Sequence, residues 1–529
     1  MAGAPEQVTH AKPMRLALLL AMAMFVLVVD TSLMNVSISA VVHDLGTTVS
    51  SVQSAIALEA LVSAAFILIG GKVGDLIGRK RAYVLGLLGY AVGALAMTLA
   101  QSVTAIIVFW AVVGGLGASL LLPAMQSLIH GNFEGDMQRR VYALVGAAAA
   151  IAAAVGPLLG GVLTTFLSWR IAFLLEAVVI AVVLSGIGLV RDVPFTGERA
   201  IDPVGAVLSV VAMGGIVLGI LVWQEGGEAV GALIAVGALA MAGLVWWLRS
   251  AHRRGRATLI DPRLFAGPQF RLGISQQMLQ QIALGGVMIV LPIYLQMVHG
   301  YNALQAGLSL APLSLSMFAV ALVAGRKAGA VAPATLVRWG FLLVAIGVAV
   351  IIPLVPRADG GLALALPLAV TGCGLGLLVS QLNNFTLAPI SEERVSEAAG
   401  VNSAAGSFGL SFGLAVGGAV MLATLAGAFT AMANSSDVLS ADQQVQVALS
   451  LDEDAQVMTD TQLTGLLEGQ PQDVQDEILA INAGARHLAL QAAMLIPLLA
   501  ALAGFVNGFR MARLPRVEPA ADHGGLIVG

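Results

Sequence analysis

The chain has 529 residues, of which 58% are hydrophobic and only 11% charged, and its mean hydropathy is +0.92. Soluble domains carry about 25% charged residues, so a large soluble protein is excluded and lipid is the solvent for most of this chain. A net charge of −4 speaks against nucleic acid as a partner, and a single cysteine, Cys373, excludes disulfides and cysteine-based metal clusters within one chain.

A membrane-spanning helix needs about 20 apolar residues. Fourteen stretches qualify, near 14–38, 50–71, 82–101, 104–130, 140–164, 169–190, 203–223, 228–249, 270–297, 304–325, 334–354, 362–388, 397–424 and 487–509. The first follows Lys12 and Arg15 and exceeds the ~7–15 apolar residues of a cleaved signal peptide, so it is read as a retained helix. Glycine and alanine richness suits close helix packing in lipid, and alternating ten-residue barrel strands are lacking. The fold class is therefore all-α integral membrane. Charge tests the count. With the N-terminus inside, the inner loops and both ends hold 23 of the 26 Lys and Arg residues, and only Arg170, Arg357 and Arg486 fall outside. This positive-inside pattern predicts cytoplasmic termini. Residues 430–485 carry ten acids and no Lys or Arg, which predicts a partly helical acidic loop outside, read as a solvated spacer.

Three acids lie within the apolar stretches: Asp30, Glu59 and Glu176. An ionisable group in hydrocarbon costs about 2.5–3.5 kcal/mol on insertion scales, which makes it a functional candidate. From the expected helix ends, all three sit about 10–14 Å below the outer surface, at 1.5 Å per residue. They could line one cavity, where a carboxyl group can exchange a proton for a cationic substrate; structural hydrogen bonding is the alternative. The stretch from Gly70 to Gly86 gathers Lys72, Asp75, Arg79, Lys80 and Arg81 between two apolar runs. By composition it is a topology anchor and a tight turn. ATP drive is excluded: the Gly71-Lys72 pair is followed by Val73, and Phe66 stands where a phosphate-binding loop needs glycine.

The order Gly71, Gly74, Asp75, Gly78, Arg79, Lys80, Arg81 resembles the signature loop of the major facilitator superfamily. Other stretches are similar to its 14-helix drug:proton antiporter branch. They are "VVDTSLMNVSI" at 28–38 with Asp30, Thr31 and Asn35, and "GAAAAIAAAVGPLLGG" with Gly146, Gly156, Pro157, Gly160 and Gly161. "SWR" at 168–170, "LIDPRLF" at 259–265 and "YLQMVHGYNALQAGL" at 294–308 also fit. A faint echo of the loop stands at "GRKAG", 325–329. The resemblance implies a six-helix bundle over 1–195, two inserted helices over 196–255, a second six-helix bundle over 256–515 and a tail over 516–529. It implies a cytoplasmic latch of Gly71, Asp75, Gly78, Arg79 and Lys80, in which Asp75 pairs across the bundles and Arg79 meets a helix terminus in the outward-facing state. The helix-1 motif carries Asp30 and Asn35, and with the other acids in the apolar stretches this makes Asp30, Asn35, Glu59 and Glu176 the candidates for proton coupling or substrate contact; Gln280, Gln281 and Asn384 are possible substrate-lining amides or helix glue.

The implied function is export of amphipathic, cationic toxic compounds by proton antiport, without an enzyme activity, cofactor or metal. Lipid, small-molecule substrate and protons are the implied partners, for a monomer in a bacterial inner membrane. Departures keep a second reading open, export of a specific metabolite or lipid-like molecule with different or no proton coupling. Ala111 and Gly114 stand where the family's helix-4 motif has Arg and Gln, Ser39 replaces a Pro, and Glu59 and Glu176 replace an aromatic and an amide. A non-transporting sensor or scaffold is disfavoured by the intact latch and helix-5 motif. Trp246 and Trp247 are expected as interfacial anchors, and Gly156-Pro157 as a kink in helix 5.

Overall fold

The computed structural model describes residues 11–192, 202–326, 331–358, 360–390, 392–440, 444, 463, 467 and 470–514. Among them are 14 helices long and apolar enough to cross a membrane. The first six are α1 (Ala11–Leu45), α2 (Val49–Ile77), α3 (Arg79–Leu99), α4 (Val103–Asn132), α5 (Gly135–Phe166) and α6 (Trp169–Ser185). The inserted pair is α7 (Pro203–Gln224) and α8 (Val230–Arg253). The rest are α9 (Pro268–Val298), α10 (Ala303–Arg326), α11 (Pro333–Leu354), α12 (Ala365–Leu387), α13 (Glu392–Asn434) and α14 (Gln472–Ala512).

Local chemistry sets several starts. Thr48 accepts the Ser51 N–H at 3.2 Å to cap α2, and Ser168 accepts the Arg170 N–H to open α6. Asp202 caps α7 through the Gly205 N–H, with Pro203 at the first helical position. Inside α4, residues Ile106–Gly114 wind as a π-helix before α-helix resumes at Gly115. Such segments are rare and cluster at functional sites.

Packing divides the helices into two six-helix bundles with the same internal pattern. In the first, α1 packs on α5 and α6, and α4 on α2 and α3; in the second, α9 packs on α13 and α14, and α12 on α10 and α11. Small residues permit these approaches. A Cβ at Gly86 would lie 2.8 Å from the Gly117 carbonyl oxygen, and one at Gly117 equally near that of Gly86, so α3 and α4 meet backbone to backbone. The bundles join through α2 on α13 and α5 on α10. The inserted α7 lies on both α2 and α13, while α8 touches mainly α7 and has only 17% of its apolar window buried.

The end of the molecule where α1 begins holds most of the arginines and is called the basic end; the other is the far end. Towards the far end, one apolar cluster runs from Met34, Val52 and Phe173 of the first bundle into Val287, Leu310 and Leu425 of the second. Towards the basic end the first bundle has its own cluster, with Leu20, Tyr83, Leu121 and Val183. A smaller cluster there joins Leu68 of α2 to Leu248, Phe270 and Ala398.

Helix limits differ most from expectation at the end of α1, the end of α13, which runs to Asn434 rather than 424, and the start of α14. α1 continues seven residues past 38, because His43 and Asp44 project beyond the apolar run and Asp44 is held by the Arg170 guanidinium and the Trp169 indole N–H. α14 starts at Gln472 rather than near 487, so the acidic segment is helical at both of its ends. Most of its middle lies outside the described residues, as do the tail 516–529 and most of the echo at 325–329. The Trp247 indole N–H donates to Asp202 at 2.9 Å, and Asp202 also accepts the Leu259 N–H at 3.1 Å. Trp246 is 63% exposed.

Candidate functional site

Five helices of the first bundle converge on three buried carboxyl groups. Asp30 on α1 is 0% exposed, Glu59 on α2 is 7% and Glu176 on α6 is 4%. Counted from the helix ends they lie about 22, 15 and 10 Å deep, a wider spread than expected because α1 projects. They nevertheless share one neighbourhood: Tyr90 of α3 is within electrostatic reach of all three, and Glu176 is within reach of the other two. Among the described residues, no Lys, Arg or His pairs with any of them.

Their polar environments differ. Asp30 accepts the Tyr90 hydroxyl at Oδ2, and the Trp110 indole N–H lies 3.0 Å from Oδ1 and 2.8 Å from Oδ2. Trp110 sits in the π-helical part of α4 and packs edge-on against Phe173, with ring centroids 6.1 Å apart. Phe173 lies one turn before Glu176 and makes a second edge contact with Trp169, also at 6.1 Å. Both Glu176 oxygens are buried without a hydrogen-bond donor. Gly115 lets α4 close on the site, since a Cβ there would lie 3.0 Å from the Glu59 carbonyl oxygen.

Asn35 is buried at 3%, but five residues of helix turn it about 140° from Asp30, and it does not join the cluster. Among the amides, Gln280 is buried and donates to Gln281 at 3.3 Å. Gln276 glues α9 to α14 through the Gly504 carbonyl at 2.9 Å. Asn384 is exposed near the basic end of α12, where Thr386 abuts Gly273, so it stands more than a turn from Gln280. Tyr90 and Trp110 were not singled out from sequence. Trp110 immediately precedes Ala111, where the helix-4 arginine would stand, and Tyr90 is a lone polar aromatic in the glycine-rich run 86–93.

The loop between α2 and α3 is built within the first bundle. Asp75, on the last turn of α2, pairs with Arg79 at 3.3 Å, one helical turn on. The expected cross-bundle pair of Asp75 belongs to the outward-facing state, and among the described residues Asp75 has no ion pair with the second bundle. Lys80 meets the end of α6, its Nζ donating to the Val190 carbonyl at 2.7 Å and its backbone N–H to Asp192 at 3.1 Å. Gly78 adopts φ +102°, which glycine permits at little cost. A Cβ at Gly71 would make only an ordinary contact with Pro123, at 3.6 Å, and the tight position is Gly70, against the Ser119 carbonyl.

In α5, Gly156 and Gly160 receive α1: a Cβ at Gly160 would lie 2.7 Å from Val36. Gly161 receives α10, where a Cβ would lie 2.7 Å from the Ala303 oxygen and the Leu304 Cα. The Pro157 carbonyl abuts Gly307, and Thr165 accepts the Leu304 N–H at 3.1 Å. Gly146 has nothing within 4 Å.

The description of the Major Facilitator Superfamily matches residues 20–414. A probable actinorhodin transporter of Streptomyces coelicolor is 26% identical over 412 residues, covering 76% of this chain and 71% of that protein. Multidrug resistance protein Stp of Mycobacterium tuberculosis is 26% identical over 408 residues, covering 76% and 75%. The solved structure of an auto-inhibited peptide transporter of the POT family covers 96% of this chain and 98% of its own, with a TM-score of 0.61 at 14% identity.

Proposed function

The chain belongs to the Major Facilitator Superfamily, and on that premise we propose that this multi-pass membrane transporter is a secondary active exporter of amphipathic, cationic toxic compounds, driven by proton antiport with alternating access. The basic end is cytoplasmic, the membrane is a bacterial inner membrane and the working unit is a monomer. The observation that carries the reading is the cluster of Asp30, Glu59 and Glu176, buried in one bundle with no cation paired to any of them among the described residues. Ionisable groups buried without a partner are costly and mark functional sites. A proton and a substrate cation compete for such a cluster, and competition makes their movements opposite. Kinship to Stp, whose name describes multidrug resistance, supports the export direction.

Alternating access fits the state observed. The bundles are joined at the far end through Gly161 and Gly307, while Asp75 stays within its own loop. The pairing of Asp75 across the bundles belongs to the outward-facing stage of this cycle. Motion is a rocking of one bundle against the other around the site. A second reading, export of a specific metabolite with different or no proton coupling, is favoured by Ala111 and Gly114 in place of the family's helix-4 Arg and Gln.

Proteoliposomes loaded with a lipophilic dye cation test the proposal, with and without an imposed proton gradient, for wild type beside Asp30→Asn and Glu59→Gln. Gradient-driven dye movement that a substitution abolishes supports antiport. Wild-type protein that moves no dye under the gradient sinks it and sends the search to a specific metabolite.

A further inference from the structure

The three acids are not equivalent as binding groups. Asp30 has both oxygens engaged by Tyr90 and Trp110. Glu176 has neither oxygen engaged, at 4% exposure. Glu59, beside it, takes part in no hydrogen bond or ion pair among the described residues. Arg170, the cation closest in sequence to Glu176 on α6, is occupied elsewhere: it binds Asp44, donates to the Ala100 carbonyl and stacks 4.4 Å from the Trp169 ring. The wall next to Glu176 is aromatic, with Phe173 edge-on to both Trp110 and Trp169.

We propose that Glu176 and Glu59 form a head-group site for ammonium ions that carry N–H bonds, and that this site discriminates primary and secondary amines from quaternary ammonium ions. The proposal rests on the exporter reading and narrows its substrate class. Two oxygens lacking donors need N–H groups as well as positive charge. A protonated primary amine supplies three donors on a compact head; a quaternary ammonium supplies charge and none. Both ions gain from the negative charge of the acids, because Coulomb attraction needs no N–H. Only the amine satisfies the carboxyl oxygens, and a buried acceptor left unsatisfied is penalised. The discrimination therefore belongs to Glu176, with Glu59 adding charge, while Asp30 is already saturated by its own bundle.

The test is equilibrium binding to the purified full-length chain at neutral pH, read by quenching of tryptophan fluorescence. The probes are phenylbutylamine and its trimethylammonium analogue, which share their apolar body. Wild type is expected to bind the amine at least about tenfold more tightly, the ratio given by about 1.4 kcal/mol. In Glu176→Gln that ratio falls towards one. Equal affinities in wild type, or an undiminished ratio in Glu176→Gln, overturns the proposal; the wild-type comparison decides even if the variant fails to fold. Dye flux in proteoliposomes is an independent readout. Flux without amine preference removes only this inference, and amine preference without flux removes only the antiport reading.

Discussion

Replacing Trp110 with Phe removes the indole N–H that lies 3.0 and 2.8 Å from the Asp30 oxygens, while a ring remains to meet Phe173. How much stability is lost depends on the charge of Asp30. Hydrogen bonds between helices in membrane proteins average about 0.6 kcal/mol. One to a charged group is worth about 1.5–3 kcal/mol. The loss of ring volume adds a packing cost, so the single substitution cannot separate the two cases. A double-mutant cycle can. Unfolding in detergent is measured for wild type, Trp110→Phe, Asp30→Ala, which removes both acceptor oxygens, and the double variant. The packing cost cancels, and the coupling energy reports the bond. Both partners are buried, 2% exposed for Trp110 and 0% for Asp30; the expected coupling is about 0.6 kcal/mol with Asp30 neutral and above about 1.5 kcal/mol with Asp30 ionised. Additive losses, with coupling near zero, would refute the reasoning that Trp110 holds the carboxyl group.

Three further substitutions probe the frame around the site. Gly161→Val puts side-chain atoms where a Cβ alone would lie 2.7 Å from the Ala303 oxygen, so the far end cannot close on α10. Labelling of a cysteine at position 304 in a Cys373→Ser background should rise several-fold, and unchanged labelling would show that closure does not depend on this contact. Gly78→Ala forces an alanine to φ +102° and should lose about 1–3 kcal/mol of unfolding free energy; a loss under about 0.5 kcal/mol would mean the turn relaxes. Asp202→Ala removes the cap of α7 and strands the Trp247 indole N–H and the Leu259 N–H. It should cost at least about 2 kcal/mol and open the 254–267 connection to protease. Unaltered proteolysis would place the anchor of the inserted pair elsewhere.

The helix plan was legible because lipid imposes it: each span must be apolar and long, and the sign of loop charge alternates with each crossing. The three acids were legible for the same reason, since a lone carboxyl group in an apolar run stands out. Their partners did not stand out. Tyr90 and Trp110 are separated from Asp30 by 60 and 80 residues, and ordinary aromatic residues on apolar helices carry no mark of what they face. The π-helical stretch of α4 has no proline to announce it. Trp247 likewise carries no mark of its bond to Asp202, 45 positions earlier. The pairing of Asp75 depends on which way the bundles lean, a property of the state rather than of the residue.

The inserted pair breaks an equivalence between the two halves of the chain. A two-bundle transporter has two lateral seams, here α2 with α13 and α5 with α10. Because α7 lies along the first, α2 has 83% of its apolar window buried, whereas its counterpart α10 has 33%; α13 has 56% and its counterpart α5 has 33%. One seam is therefore covered by the inserted pair, while among the described residues the seam between α5 and α10 has no added helix laid along it. Gly161 and Gly307 set the close approach of α5 and α10 at the far end, so that seam is held by small residues and the other by an added helix.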